Sequence, residues 1–138
     1  MSVAVAHQVS ASAARALWEG AREAAFRGVH LDVIHVVDSL DQDIAEANRA
    51  GISDAIEKAL AGDESLKEVK WDLHLVASKP GVGDVASAII GKIAEIAPDL
   101  LVIGARRRSP VGKALLGSVT QHILLDVDVP VLVVKSAR

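Results

Sequence analysis

The sequence predicts an open, parallel, five-stranded α/β sheet in the order 3-2-1-4-5, with helices on both faces. Three observations carry that prediction. Five short apolar, β-branched runs alternate with helical patterns along the 138 residues. Strand–helix–strand alternation with short connections requires parallel strands covered on both sides. The first and fourth runs are apolar throughout, as central strands are, whereas the third alternates like an edge strand. Finally, 51% of the chain is hydrophobic, yet its aromatics are only Trp18, Phe26 and Trp71. The core is therefore built from Ala, Val, Leu and Ile, which lets helices lie close on a sheet.

Each element has its own signal. "VAVA" (3–6) opens the sheet. In "SASAARALWEGAREAAFRG", Ser10 or Ser12 suits an N-cap, Ala13, Leu17, Ala21 and Ala24 recur at helical spacing, and Gly28 is the stop. Arg15/Glu19 and Glu23/Arg27 stand i,i+4 on the wet side. "VHLDVIHVV" (29–37) is the second strand, followed by an acidic helix over about 42 to 61 that ends at Gly62. "VKWDLHLVA" (69–77) alternates Val69, Trp71, Leu73 and Leu75 with Lys70, Asp72 and His74. A third helix runs from about Asp84 to Ala97, and "DLLVIG" (99–104) is the fourth strand. A fourth helix starts near Ser118 and ends near Asp126, and "VPVLVVK" (129–135) closes the sheet. No repeat, low-complexity tract or linker divides the chain, so residues 1–138 read as one domain, large enough to bury roughly two-thirds of its unfolded surface.

Composition removes several functions. Without cysteine there is no disulfide, thiolate chemistry or cysteine metal site. Base stacking needs aromatic platforms that this chain lacks, so no nucleic-acid partner is expected. No apolar run approaches the ~18 residues of a membrane span. "MSVAVAHQVS" has no basic n-region. A soluble, cytoplasmic protein with no membrane partner is expected. No histidine pair has i,i+4 spacing, and His30 and His35, an odd number apart on one strand, face opposite sides; no metal site is predicted. Asp126 and Asp128 flank the last strand as turn residues, and no G-x-S-x-G elbow presents a nucleophile. No catalytic residue is assigned, and hydrolysis, if any, is slow.

The net charge of −3 hides an asymmetry. Residues 38–68 hold nine acids against Arg49, Lys58 and Lys67, whereas residues 104–138 hold six bases against Asp126 and Asp128. A basic region on an acidic protein suits a small anion better than a long polyanion. The segment "LLVIGARRRSPVGKALLGSVTQHILL" (100–125) supplies its site. It is not a P-loop: Gly112-Lys113 is followed by Ala114, and Arg107 stands where the first glycine belongs. "GVGDVA" (81–86) matches a dinucleotide fingerprint in letters only, because Ser78, Lys79 and Pro80 separate it from its strand. In "GARRRSPVGKALLGSVT", Gly104 ends a strand and Gly117-Ser118 open a helix, whose first N–H groups form an anion site or an ordinary cap. In the predicted topology, ligands sit beyond the carboxyl ends of strands 1 and 4, where the order reverses. That gathers His7, Val36 to Asp38, and Gly104 onward around one crevice.

At these residues the chain resembles the universal stress protein family, whose nucleotide-binding members carry G-x2-G-x9-G-[ST] between strand 4 and the last helix. Here the pattern reads Gly104, two residues, Arg107, nine residues, Gly117-Ser118, so the spacing is kept and one glycine is replaced. "VAVAHQVSAS", "VIHVVD", "APDLLVIG" and "VPVLVVK" extend the likeness over the whole chain. The resemblance implies a Rossmann-like fold and an adenine nucleotide, ATP or a relative, with or without Mg. It implies backbone contacts from Val36 to adenine and Gly104 beneath the ribose. It implies phosphates held by Gly117, Ser118, Val119 and Thr120. Two positions depart from the pattern. Arg107 either adds a bidentate phosphate contact or fills the crevice, and His7 stands where family binders usually carry an aspartate.

The last strand is long, apolar and uncharged until Lys135, and such edges are normally paired. Antiparallel pairing of Val131, Leu132, Val133 and Val134 across a two-fold axis would make an isologous homodimer, which the resemblance also implies. Two readings follow. One is a nucleotide-binding regulatory module of the stress response, in which occupancy orders the loop from Ala105 to Leu116 and signals to a partner. The other is a dimerisation and interaction module that no longer binds nucleotide.

Overall fold

The computed structural model describes residues 1–7, 11–37, 42–77, 85–105 and 118–135. Its strands are β1 (Ser2–His7), β2 (His30–Val37), β3 (Trp71–Ala77), β4 (Leu100–Ala105) and β5 (Val131–Lys135). They form one parallel sheet in the order β3-β2-β1-β4-β5, as the alternation of apolar runs predicts. The helices are α1 (Ala11–Arg27), α2 (Gln42–Ala61), α3 (Val85–Ile96) and α4 (Ser118–Asp126).

The period-2 alternation of each strand divides the core in two. On one face, Val3 and Val5, Leu31 and Val33, Leu73, and Leu100 and Val102 pack against Ala16, Leu17, Ala21 and Ala24 of α1 and Ile56 and Leu60 of α2. On the other, Ala4, Ala6, Ile34, Leu101 and Ile103 meet Ala86, Ile89 and Ile93 of α3 and Ile123 of α4. Small residues are what allow this closeness. A β-carbon on Gly20 of α1 would overlap Val5 Cγ2, so this glycine is where the helix backbone touches down on β1.

Strand ends differ from the sequence reading by one or two residues, because β1 reaches Ser2 and His7, and β3 starts only at Trp71. Ser12 is the second residue of α1, inside the helix and past the cap position, while Ser10 lies outside the described residues. Gly28 stops the helix in a left-handed conformation (φ 67°), with Val29 N–H donating to Ala24 O at 3.0 Å. Glu23 pairs with Arg27 as expected, but Glu19 meets Arg22 rather than Arg15. The Arg22 guanidinium stacks 4.7 Å above the Trp18 ring, which holds it beside Glu19. Trp18 also donates from Nε1 to Asp63 at 3.1 Å, tying α1 to the turn before β3. Among the described residues, no helix is long and apolar enough to cross a membrane.

Candidate functional site

Strand β1 delivers His7 and β2 delivers His35 to the same level of the sheet, for the two are register partners. Both side chains point to the α1/α2 face, since odd-numbered residues of both strands do so. His35 Nδ1 lies 3.0 Å from the His7 carbonyl and 3.4 Å from His7 Nδ1. A carbonyl only accepts, so His35 Nδ1 carries the proton and the His7 Nδ1 lone pair faces it. His7 is 8% exposed. Burial first, and the neighbouring His35 second, hold its pKa down to about 4. Burial also lowers the His35 pKa, against the bond to the His7 carbonyl, which raises it. Both rings are neutral near pH 7, and each keeps one donor and one acceptor nitrogen.

Below this pair a cavity of about 580 Å³ opens between α1 and α2. Its walls are Ala14 and Leu17 of α1 and Ala47, Asn48, Gly51 and Ile52 of α2, with the two imidazoles as a polar rim. The cavity is mostly apolar, and its size is that of a small-molecule site.

Val36 is half-buried, and its side chain packs on the α3/α4 face. Its backbone matters more. Leu31 N–H donates to Lys70 O toward β3, so alternation turns the N–H and C=O of Ile34 and Val36 toward β1. The β1–β2 register ends at His7 and His35. The Val36 carbonyl therefore stands at the end of the described ladder, facing the point where the chain order reverses from β1 to β4. Gly104, half-buried on β4, lies one residue beyond the last β1–β4 partner pair, Ala6 and Ile103.

Ser118, Val119 and Thr120 form the first turn of α4, whose orphan N–H groups carry partial positive charge. Val119 and Thr120 are half-buried. Arg107 and Gly117 lie outside the described residues, as do Asp38, Arg106, Arg108, Gly112, Lys113 and the glycines of "GVGDVA". Of the residues singled out in the sequence, the structure thus brings His7, Val36 and Gly104 to the carboxyl ends of adjacent strands. It begins α4 at Ser118.

Sequence reasoning set aside His35, yet it is the group that fixes His7. The signal was available in principle: two parallel strands in register, each with a histidine near its carboxyl end. It also passed over a group on the opposite face, where His30, Asp32 and Asp72 cluster. Helical spacing cannot reveal ligands that are two apart on a strand.

An open parallel sheet in this order, with helices on both faces, defines a Rossmann-like, doubly wound α/β domain. The Universal stress protein family model matches residues 1–135, and the chain belongs to that family. A universal stress protein of Mycolicibacterium smegmatis is 65% identical over 37 residues, a segment covering 27% of this chain and 28% of that protein. A universal stress protein structure from Archaeoglobus fulgidus aligns over 98% of both chains with a TM-score of 0.72 and 28% identity. A second structure from that organism, solved in complex with dAMP, aligns over 98% of both chains with a TM-score of 0.67 and 24% identity.

Proposed function

We propose that this chain is an adenine-nucleotide-binding regulator of the stress response, acting in the cytoplasm as a homodimer built from one domain spanning residues 1–138. ATP is the favoured ligand, with or without Mg. The observation that carries the reading is the placement of His7, Val36 and Gly104 at the carboxyl ends of β1, β2 and β4, with His7 on the rim of an apolar cavity. An adenine ring needs apolar contact for its faces and paired donors and acceptors for its edge. The cavity wall offers the first, and the Val36 backbone with two neutral imidazoles offers the second. Phosphates carry charge that the first turn of α4 at Ser118, Val119 and Thr120 attracts, with Gly117 letting the backbone come near. Arg107 adds a charge-assisted contact to the same phosphates. Membership of the family supports the reading, and so does the dAMP complex formed by its relative.

A second reading rests on one observation: the His7 ring is already engaged by His35. It describes a dimerisation and interaction module without nucleotide. Denaturing the purified protein and analysing the supernatant by mass spectrometry separates the two, followed by thermal unfolding with ATP, ADP and AMP. A ligand at 100 times its Kd adds roughly 2.7 kcal/mol. Released adenine nucleotide and such a shift uphold the first reading; neither appearing upholds the second. Arg107→Gly then reports the arginine's part, since weaker binding means contribution and tighter binding means obstruction.

A further inference from the structure

We propose that the chain holds a divalent transition metal of the zinc class at His30, Asp32 and Asp72, on the sheet face opposite the His7–His35 pair. This goes beyond the nucleotide reading and does not depend on it. The three residues sit in the amino-terminal halves of β2 and β3, whereas the nucleotide reading uses the carboxyl ends.

Backbone geometry assembles the group. His30 and Asp32 are two apart on β2 and so share a face. Asp72 is the register partner of Asp32 on β3. Apart from Ser2 and His74, the buried strand residues around this group are apolar, among them Ala4, Ala6, Ile34, Leu101 and Ile103. A carboxylate there is costly without a compensating partner, yet Asp32 is 7% exposed. Its companions are both imidazoles: His74 Nε2 at 2.7 Å and His30 Nε2 at 3.4 Å, each from Oδ1. His30 Nε2 also lies 2.8 Å from Asp72 Oδ2.

These separations are close to those of a metal's ligands. Zinc bonds of about 2.0–2.2 Å in a tetrahedron set ligand atoms about 3.3 Å apart. The three donor atoms lie within 4.8 Å of one another, so side-chain torsions alone can close them on an ion. One nitrogen and two carboxylate oxygens suit zinc better than calcium, which takes six or more oxygens. The two carboxylates balance the ion's charge. A carboxylate only accepts, so His74 donates Nε2–H to Asp32 and orients it, as outer partners of metal ligands do. Without metal, His30 donates Nε2–H to Asp72; on binding, that proton moves to Nδ1 and Nε2 takes the ion. The fourth position faces solvent, where the Asp72 side chain is 67% exposed.

The test uses the full chain after chelator treatment, titrated with Zn²⁺ by calorimetry and with Co²⁺ by visible absorption. Saturation at one equivalent is expected, with a Co²⁺ spectrum of four-coordinate intensity. Asp72→Asn and His30→Ala should each lose at least tenfold in affinity, and His74→Ala, which acts through Asp32, about tenfold. His7→Ala should bind metal like the wild type, and Asp72→Asn should leave ATP binding unchanged. Because Asp72 is exposed, its variant keeps the fold and decides the matter even if His30→Ala unfolds. No saturable binding, or undiminished binding by Asp72→Asn, would overturn the proposal.

Discussion

His35 gives its Nδ1 proton to the carbonyl of His7 at 3.0 Å, and the His7 ring nitrogen stands 3.4 Å from the same donor. One hydrogen thus links the ends of β1 and β2, while burial first and the neighbouring His35 second keep His7 neutral. Where the family resemblance implies a fixed negative charge, this chain has a neutral imidazole whose Nδ1 already faces the His35 proton.

Acid should expose this arrangement. The His7 pKa is about 4 in the folded chain and 6.5 in the unfolded one. Between those values the unfolded state binds more protons, so stability falls as pH falls from about 6.5 to 4 and is fully present above that window. The His7 share is on the order of 2–3 kcal/mol. Chemical denaturation of wild type and His7→Gln across this range measures it: the wild-type curve should drop more steeply, and parallel curves would refute the neutral pair.

Gly20→Ala should destabilise, against helix propensity, which favours Ala by about 1 kcal/mol. The new β-carbon overlaps Val5 Cγ2 on a fully buried central strand. Overpacking of this kind costs about 1–3 kcal/mol. Urea denaturation should show the loss; a gain would mean that α1 rides higher on the sheet than described.

How far the fold was legible follows from what each signal encodes. Apolar runs gave strand order because burial on both faces leaves its mark residue by residue: Val3, Val5, Val102 and Ile103 are all buried. Capping was less legible, since Ser10 and Ser12 are equally good hydroxyls and only the turn geometry chooses. The Arg15/Glu19 pair failed because Trp18 offers Arg22 a better seat. At the site, strand alternation and the switch between strands 1 and 4 lead to His7, Val36 and Gly104, and the family likeness adds the role of each. His35, Asp32 and Asp72 escape such a reading because their meaning lies in register between strands, which no single-strand pattern carries.

The edge of β5 supports a prediction about assembly. Leu101 N–H donates to Pro130 O, so Leu132 and Val134 turn their backbone toward β4 while Val131 and Val133 turn theirs outward. Val133→Pro removes one outward N–H and leaves the β4 ladder intact. If two copies pair through this edge, light scattering should show a wild-type dimer at micromolar concentration and a folded Val133→Pro monomer. A wild-type monomer, or a Val133→Pro dimer, would refute strand pairing.

The central claim is that an adenine nucleotide lies across the ends of β2, β1 and β4, above Gly104. Calorimetric titration of ATP into wild type and Gly104→Val addresses it most directly, with circular dichroism confirming that both are folded. Saturable binding by the wild type at one nucleotide per chain is expected, with at least a tenfold loss in the folded variant. Equal affinity in the two proteins, or no binding by the wild type, would contradict it.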